Sequence, residues 1–243
     1  MSNKNRVLAL SMFVSMSALA GTVFALNFSD TFQSYALGVW SEGATVGGWN
    51  VAFNGYGFSG IEKEGNNRVF YQKPQASVSS GETHAALLLS TNSFTNPDFA
   101  VSSKIVQQLR TPTPNAWEVP WMYLNYTDNY HFYYFTLKKN GWELGKEDNT
   151  KLDPLGVDCV WPSLLNCKYP GAQRFLATGS SPSAAVGTWY TTRMVSNNGV
   201  ISAYVNGNLI TSFTDTDNPY SSGKVGLYNE DAYVRFDNVS INY

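Results

Sequence analysis

"HFYYFTLKKNGWELGKE", residues 131–147, runs through four consecutive rings, turns near an Asn-Gly dipeptide and continues with alternating charge. Asn140-Gly141 marks a two-residue hairpin, because both central residues of such a turn need φ > 0. With that turn, Lys139 opposes Trp142, Lys138 opposes Glu143 and Leu137 opposes Leu144. Strand alternation then puts Tyr133, Phe135, Leu137 and Leu144 on one face, read as core. Phe132, Tyr134, Thr136, Lys138, Glu143 and Glu147 take the other face. The preceding strand "WMYLNY", residues 121–126, pairs through "TDNY". It adds Met122, Leu124 and Tyr126 to the core face, and Trp121, Tyr123 and Asn125 to the other. Half the rings are core; half form an aromatic and polar sheet face.

The same grammar extends outward from this hairpin. Short runs rich in Val, Ile, Tyr, Phe and Thr are separated by Gly, Asn, Asp and Pro clusters, with hardly any helical periodicity. Strands are predicted near 27–33, 48–53, 57–63, 68–72, 84–91, 98–109, 119–126 and 130–139. Others follow near 142–147, 172–178, 188–196, 199–206, 208–214, 222–228 and 232–242. Asn206-Gly207 marks a second two-residue hairpin. So many strands without helices imply an all-β fold, a two-sheet antiparallel jelly-roll sandwich. No repeat or low-complexity linker divides residues 26–243, which read as a single domain.

Residues 1–25 stand apart. Lys4 and Arg6 precede an apolar run closing with "TVFA", the pattern of a cleavable signal peptide ending at Ala25. A retained anchor is the alternative, but the run is interrupted by Ser and is short for a span. Cleavage implies a secreted or periplasmic protein. Without Lys4 and Arg6 the chain carries 14 basic and 18 acidic residues, and no basic stripe, which argues against nucleic acid. Cys159 and Cys167 are the two cysteines, and in an oxidising compartment they suggest one local disulfide.

Rings beside carboxylate, amide and ammonium groups suit carbohydrate, whose CH-rich face stacks on aromatic planes while its hydroxyls need donors and acceptors. The candidate ligand-binding set is Trp121, Tyr123, Asn125, Phe132, Tyr134, Lys138 and Glu143, with Arg174 from the strand at 172–178. Gln173 and Arg174 point to opposite faces, so only one of them can serve. Alternatively these rings are a second small core, covered by the 148–171 segment.

The chain end favours sugar. A Trp-led strand at Trp189, a strand ending in "VNG", then "GKVGLY" and "FDNV" resemble the closing strands of concanavalin A-like lectin/glucanase domains. That group includes laminin-G-like modules and the 3-keto-disaccharide hydrolase domain. "FSDTF" and "GGWNV" resemble its opening strands, whereas residues 60–175 match in strand spacing alone. The resemblance implies polysaccharide or glycan as partner. It also implies a structural calcium between Asp30 and Asp237, which suit calcium's oxygen chemistry; the alternative is a turn residue and a surface acid.

Catalysis has weaker support. The Glu-x-Asp-x-Glu pattern of family 16 glycoside hydrolases does not occur. Glu143 and Glu147 are roughly 13 Å apart along a strand, too far for a glycosidase pair. Glu62 and Glu64, roughly 6.6 Å apart, suit inversion on spacing alone. A lyase would draw on Tyr123, Asn125, Tyr134, Gln173 or Arg174, and His84 or His131. Three readings therefore stand: a polysaccharide binder, an enzyme on the same face, and a structural or adhesive surface protein.

Overall fold

The computed structural model describes residues 27–148 and 173–243. Residues 1–25, expected to be a signal, the Cys159–Cys167 pair and nearly all of the 148–171 segment lie outside them. Each of the predicted strands is present. In order they include β1 (Asn27–Asp30), β4 (Trp49–Phe53), β5 (Phe58–Glu64), β6 (Asn67–Lys73), β7 (Ala85–Ser90) and β9 (Asp98–Gln108). Then come β10 (Pro120–Asp128), β11 (His131–Lys138), β12 (Gly141–Asp148), β13 (Gln173–Gly179) and β14 (Trp189–Asn197). The last are β15 (Val200–Val205), β16 (Asn208–Thr214), β17 (Ser222–Glu230) and β18 (Ala232–Asn242). Three short strands were not anticipated: β2 (Gly38–Trp40), β3 (Thr45–Val46) and β8 (Phe94–Thr95). They span two or three residues, too few to show a period.

All pairings are antiparallel and form two sheets. The first runs β16-β15-β14-β9-β18-β6-β5-β2, with β1 also on β18. The second runs β13-β12-β11-β10-β17-β7-β4-β3, with β8 also on β17. Phe70, Phe99, Met194 and Phe236 from the first sheet meet Trp49, Leu88, Phe135, Leu144 and Leu227 from the second, all buried. This is the jelly-roll sandwich expected. Among the described residues no helix is long and apolar enough to cross a membrane.

The two Asn-Gly turns part ways. Val205 pairs with Asn208, so Asn206 and Gly207 form the tip at φ 50° and 81°, as predicted. In the other hairpin Lys138 pairs with Gly141, Leu137 with Trp142 and Phe135 with Leu144. The tip is therefore Lys139-Asn140, one residue early. Gly141 is needed for a different reason: a Cβ there would lie 1.9 Å from the Gly179 carbonyl oxygen of β13, at φ +140°. The error displaces pairing by two residues, so every side chain keeps its predicted face.

Strand β10 carries a second correction. Tyr123 pairs with Gly226 but Tyr126 pairs with Lys224, so a bulge falls between them. Asn125 sits at its centre at φ 54°. Its side chain turns inward and donates to Ser196 Oγ at 3.1 Å and the Tyr220 carbonyl at 2.7 Å. Asn125 therefore leaves the aromatic face, and Tyr126 joins it.

Candidate functional site

The outer face of the second sheet gathers rings from three adjacent strands. Trp121 and Tyr123 come from β10, Phe132 and Tyr134 from β11, and Tyr228 from β17, because Trp121 pairs with both Thr136 and Tyr228. Tyr123 stacks on Phe132 at 4.2 Å and on Tyr228 at 4.8 Å between centroids. Trp121 lies 4.9 Å from Tyr134. Tyr134 has room because its cross-strand partner is Gly145, where a Cβ would fall 2.1 Å from the ring. Ring-on-ring packing leaves Trp121 only 7% and Tyr123 only 6% exposed. These rings are thus a small core and the floor of a pocket at once.

The pocket encloses about 240 Å³, and its rim is polar: Asn129, Glu147, Gln173 and Glu230. Phe53 and Leu87 close one side. Among its described lining residues none is Lys or Arg. That volume is below the ~300–1,000 Å³ of drug-sized sites and suits one small ring.

Glu230 is the group whose chemistry is most altered. Desolvation beside the rings pushes its carboxyl up to about 7; the charges of Asp231 and Glu118 add, while Tyr228 and Arg110 oppose. Its side chain accepts the Tyr228 hydroxyl at 2.7 Å. Behind it, buried Arg110 pairs with Glu118 and, at 2.8 Å, with Asp231. Burial raises the Tyr123 and Tyr228 phenols well above 10, with Glu230 adding to both, so both stay protonated donors. A carboxyl that titrates near neutrality, partly open to a pocket, can give or take a proton.

The candidates read from the sequence divide. Trp121, Tyr123, Phe132 and Tyr134 line this pocket. Lys138 and Glu143 share the face but line a neighbouring hollow of about 400 Å³ with Phe175 and Thr178. Glu143 accepts Tyr134 Oη at 2.7 Å, Lys138 Nζ at 2.6 Å and Gln173 Nε2 at 3.1 Å. Arg174 is a correction like Asn125. It pairs with Lys146, takes the opposite face and reaches Asp217 at 3.3 Å; Gln173, paired with Glu147, is the one on the pocket side. Glu62 is engaged elsewhere, in the first sheet, by Arg235 Nε and Tyr233 Oη, each at 2.5 Å.

Tyr228, Glu230, Phe53 and Leu87 were missed. Each is contributed by a strand far in sequence from residues 121–147, and only the β4-β7-β17-β10 order brings them in. Glu147 carried a local signal, since its alternation with Phe132 and Tyr134 already placed it on this face.

Asp30 and Asp237 lie in the first sheet. Asp30 accepts the Phe32 amide at 2.7 Å, and Tyr35 Oη and Trp49 Nε1 at 2.8 Å each. Asp237 accepts Asn67 Nδ2 at 2.7 Å and the Asn238 amide at 2.8 Å. Burial raises the Asp237 carboxyl above its ordinary range, and the charges of Asp30 and Glu64 add to that, while Asn67 and the Asn238 amide oppose it. Among the described residues no group of three or more His, Cys, Asp or Glu is arranged to hold a metal.

The comparisons with known proteins point the same way as the fold. No curated protein matches the chain in sequence. A carbohydrate-binding module, CBM66 from Bacillus subtilis, superimposes with TM-score 0.54 at 14% identity, covering 81% of this chain and 96% of that one. A glycoside hydrolase family 16 endo-glucanase from Bacteroides ovatus superimposes with TM-score 0.55 at 12% identity, covering 88% and 99%. At such identities the likeness establishes a shared two-sheet jelly-roll fold. Sequence is more specific: residues 48–242 match the family described as the 3-keto-alpha-glucoside-1,2-lyase-like domain. With four-fifths of its length inside that match, the chain belongs to the 3-keto-alpha-glucoside-1,2-lyase-like domain family.

Proposed function

We propose that this protein binds a neutral carbohydrate over the Trp121–Tyr134 floor, acting outside the cytoplasm after loss of residues 1–25. The observation that carries the reading is the pocket's composition: five rings below, and carboxylate and amide groups above. Rings offer stacking to a sugar's CH face, and the rim offers partners to its hydroxyls. Anionic sugars are disfavoured, because Glu147 and Glu230 line the pocket and Arg174 faces away. The test is a panel of neutral and uronate-containing oligosaccharides titrated against the wild type and Trp121→Ala. Neutral ligands should bind and the variant should bind them more weakly. Exclusive binding of uronates would overturn the reading.

Glu230 favours a second, catalytic reading on the same pocket. A lyase acting on a 3-keto-glucoside removes the C2 proton, acidified by the adjacent ketone. The C2–H electron pair becomes the C1–C2 double bond, and the C1–O bond breaks with its pair leaving on oxygen. The group that takes the C2 proton can return it to the leaving oxygen. Glu230, titrating near neutrality, is suited to both transfers. Product release from 3-keto-glucosides by the wild type, lost in Glu230→Gln with binding retained, is the expected result; equal turnover by the variant would remove Glu230 from the reaction.

A further inference from the structure

One charged cluster lies between the sheets and takes no part in the pocket. Lys146 sits on the inner face of β12, paired with Tyr133 of β11, and is fully buried. Its ammonium reaches Asp215 Oδ2 at 2.7 Å, in the loop that follows β16. It also donates to the carbonyls of Asp217 and Asn218, at 2.7 and 3.0 Å. Asp148, two residues on and equally buried, brings a second carboxylate to 3.5 Å. The rings of Tyr220 and Tyr133 flank the group, their centroids 4.4 and 5.7 Å from Nζ.

An amine, a carboxyl beside it and a second carboxylate are the parts of an amide condensation. A nitrogen this close to one carboxyl oxygen stands roughly 3.5 Å from the carbon at an ordinary hydrogen-bond angle, within near-attack range. Once Nζ gives up one proton, its remaining two N–H groups match the Asp217 and Asn218 carbonyls. The lone pair is then left facing Asp215. That carboxyl is held at both ends: Oδ1 accepts the Asp217 amide at 2.9 Å, and Oδ2 accepts Tyr133 Oη at 2.5 Å. Burial first, and then Asp215, hold the Tyr133 phenol above its ordinary range, so it stays a donor. Keeping opposite charges out of water is costly, whereas an amide in their place is neutral.

We propose that Lys146 and Asp215 condense into an isopeptide bond, which ties β12 of the second sheet to the end of β16 in the first. The Nζ–Cγ bond forms and the Cγ–Oδ2 bond breaks, its pair leaving on oxygen. Of the three ammonium protons, one stays on the amide nitrogen and two depart with Oδ2 as water. Asp148 relays them and ends as the carboxylate it began. Oδ1 remains as the amide carbonyl, still accepting the Asp217 N–H.

Intact-mass spectrometry of the purified, thiol-reduced full chain tests it. Wild type should be lighter by one water than its sequence, counted from its own first residue. Trypsin should fail to cut after Lys146, leaving a branched peptide that joins it to Asp215. Lys146→Arg should carry its full mass and melt below wild type. Asp148→Asn should accumulate at full mass, its proton relay lost. Should either variant fail to fold, the wild-type mass and the branched peptide decide by themselves. A folded wild-type chain of full mass, cut after Lys146, overturns the proposal. A link as complete in Asp148→Asn as in wild type overturns the role given to Asp148.

Discussion

Tyr228 donates its phenolic proton to the Glu230 carboxylate at 2.7 Å from two residues away on the same strand. Residues two apart share a face, so ring and acid enter the pocket as a unit. The contact holds a carboxyl that desolvation has already moved toward neutrality.

That shift has a stability consequence. Folded Glu230 titrates at about 7 against 4.5 for the free side chain, so the folded state holds the proton more tightly. Its favourable contribution is complete below the unfolded pKa and is lost as pH rises through about 7. Glu230→Gln should therefore be near-neutral at acid pH and stabilising above neutrality, by roughly 2–3 kcal/mol at most. Urea unfolding across this pH range reads it directly; a gain that is the same at every pH would refute the assignment.

The two faces of the β10–β11 pair predict different phenotypes. Phe135→Ala removes a ring with 0% exposure from between the sheets and should destabilise by about 3–5 kcal/mol. Trp121→Ala should weaken binding, where one lost platform is worth about 0.5–1.5 kcal/mol, and, because Trp121 is only 7% exposed, should lower stability as well. Parallel melts and titrations compare them. Wild-type affinity in Trp121→Ala would show that the floor does not touch the ligand.

Gly223 stands where β17 passes the β10 bulge at φ +155°, and a Cβ there would meet the Asn125 carbonyl carbon at 2.4 Å. Gly223→Ala should destabilise by about 2–4 kcal/mol through backbone displacement. Asn125→Ala strands Ser196 and the Tyr220 carbonyl, at a cost of about 1–3 kcal/mol. Silent melts for both would mean that the bulge is not held as described.

Calcium, implied by resemblance, is separable from the hydrogen bonds around Asp30. Asp30→Asn disturbs acceptors for the Phe32 amide, Tyr35 and Trp49. It should lower stability by about 1–3 kcal/mol equally with calcium or with chelator present. A wild-type Tm that climbs with calcium, and stops climbing in Asp237→Asn, would show a bridging cation.

What could be read in advance was whatever depends on neighbours in sequence. The face of Tyr134 followed from a period of two, and survived even a displaced turn, because a slip of two residues restores parity. Asn125 was misplaced because a bulge reverses parity, and its cause, close passage of Gly223, lies 98 residues downstream. Arg174 and Gln173 posed a choice that only the registration of β13 on β12 resolves. Glu230 was invisible for a related reason: its shift comes first from burial, and the pocket that buries it is completed by Phe53, Leu87, Trp121 and Tyr123, none of them near it in sequence.

Strand β18 has a bearing on how the chain reaches this state. It lies between β9 and β6 and also carries β1, so Asn27 joins Asn242 across 215 residues. Without it the first sheet is two separate ribbons, β16-β15-β14-β9 and β6-β5-β2. A ribosome must therefore release residues 232–242 before either ribbon can be joined to the other. Until then the polypeptide stays threadable, and closure is a late, slow event dominated by distant contacts.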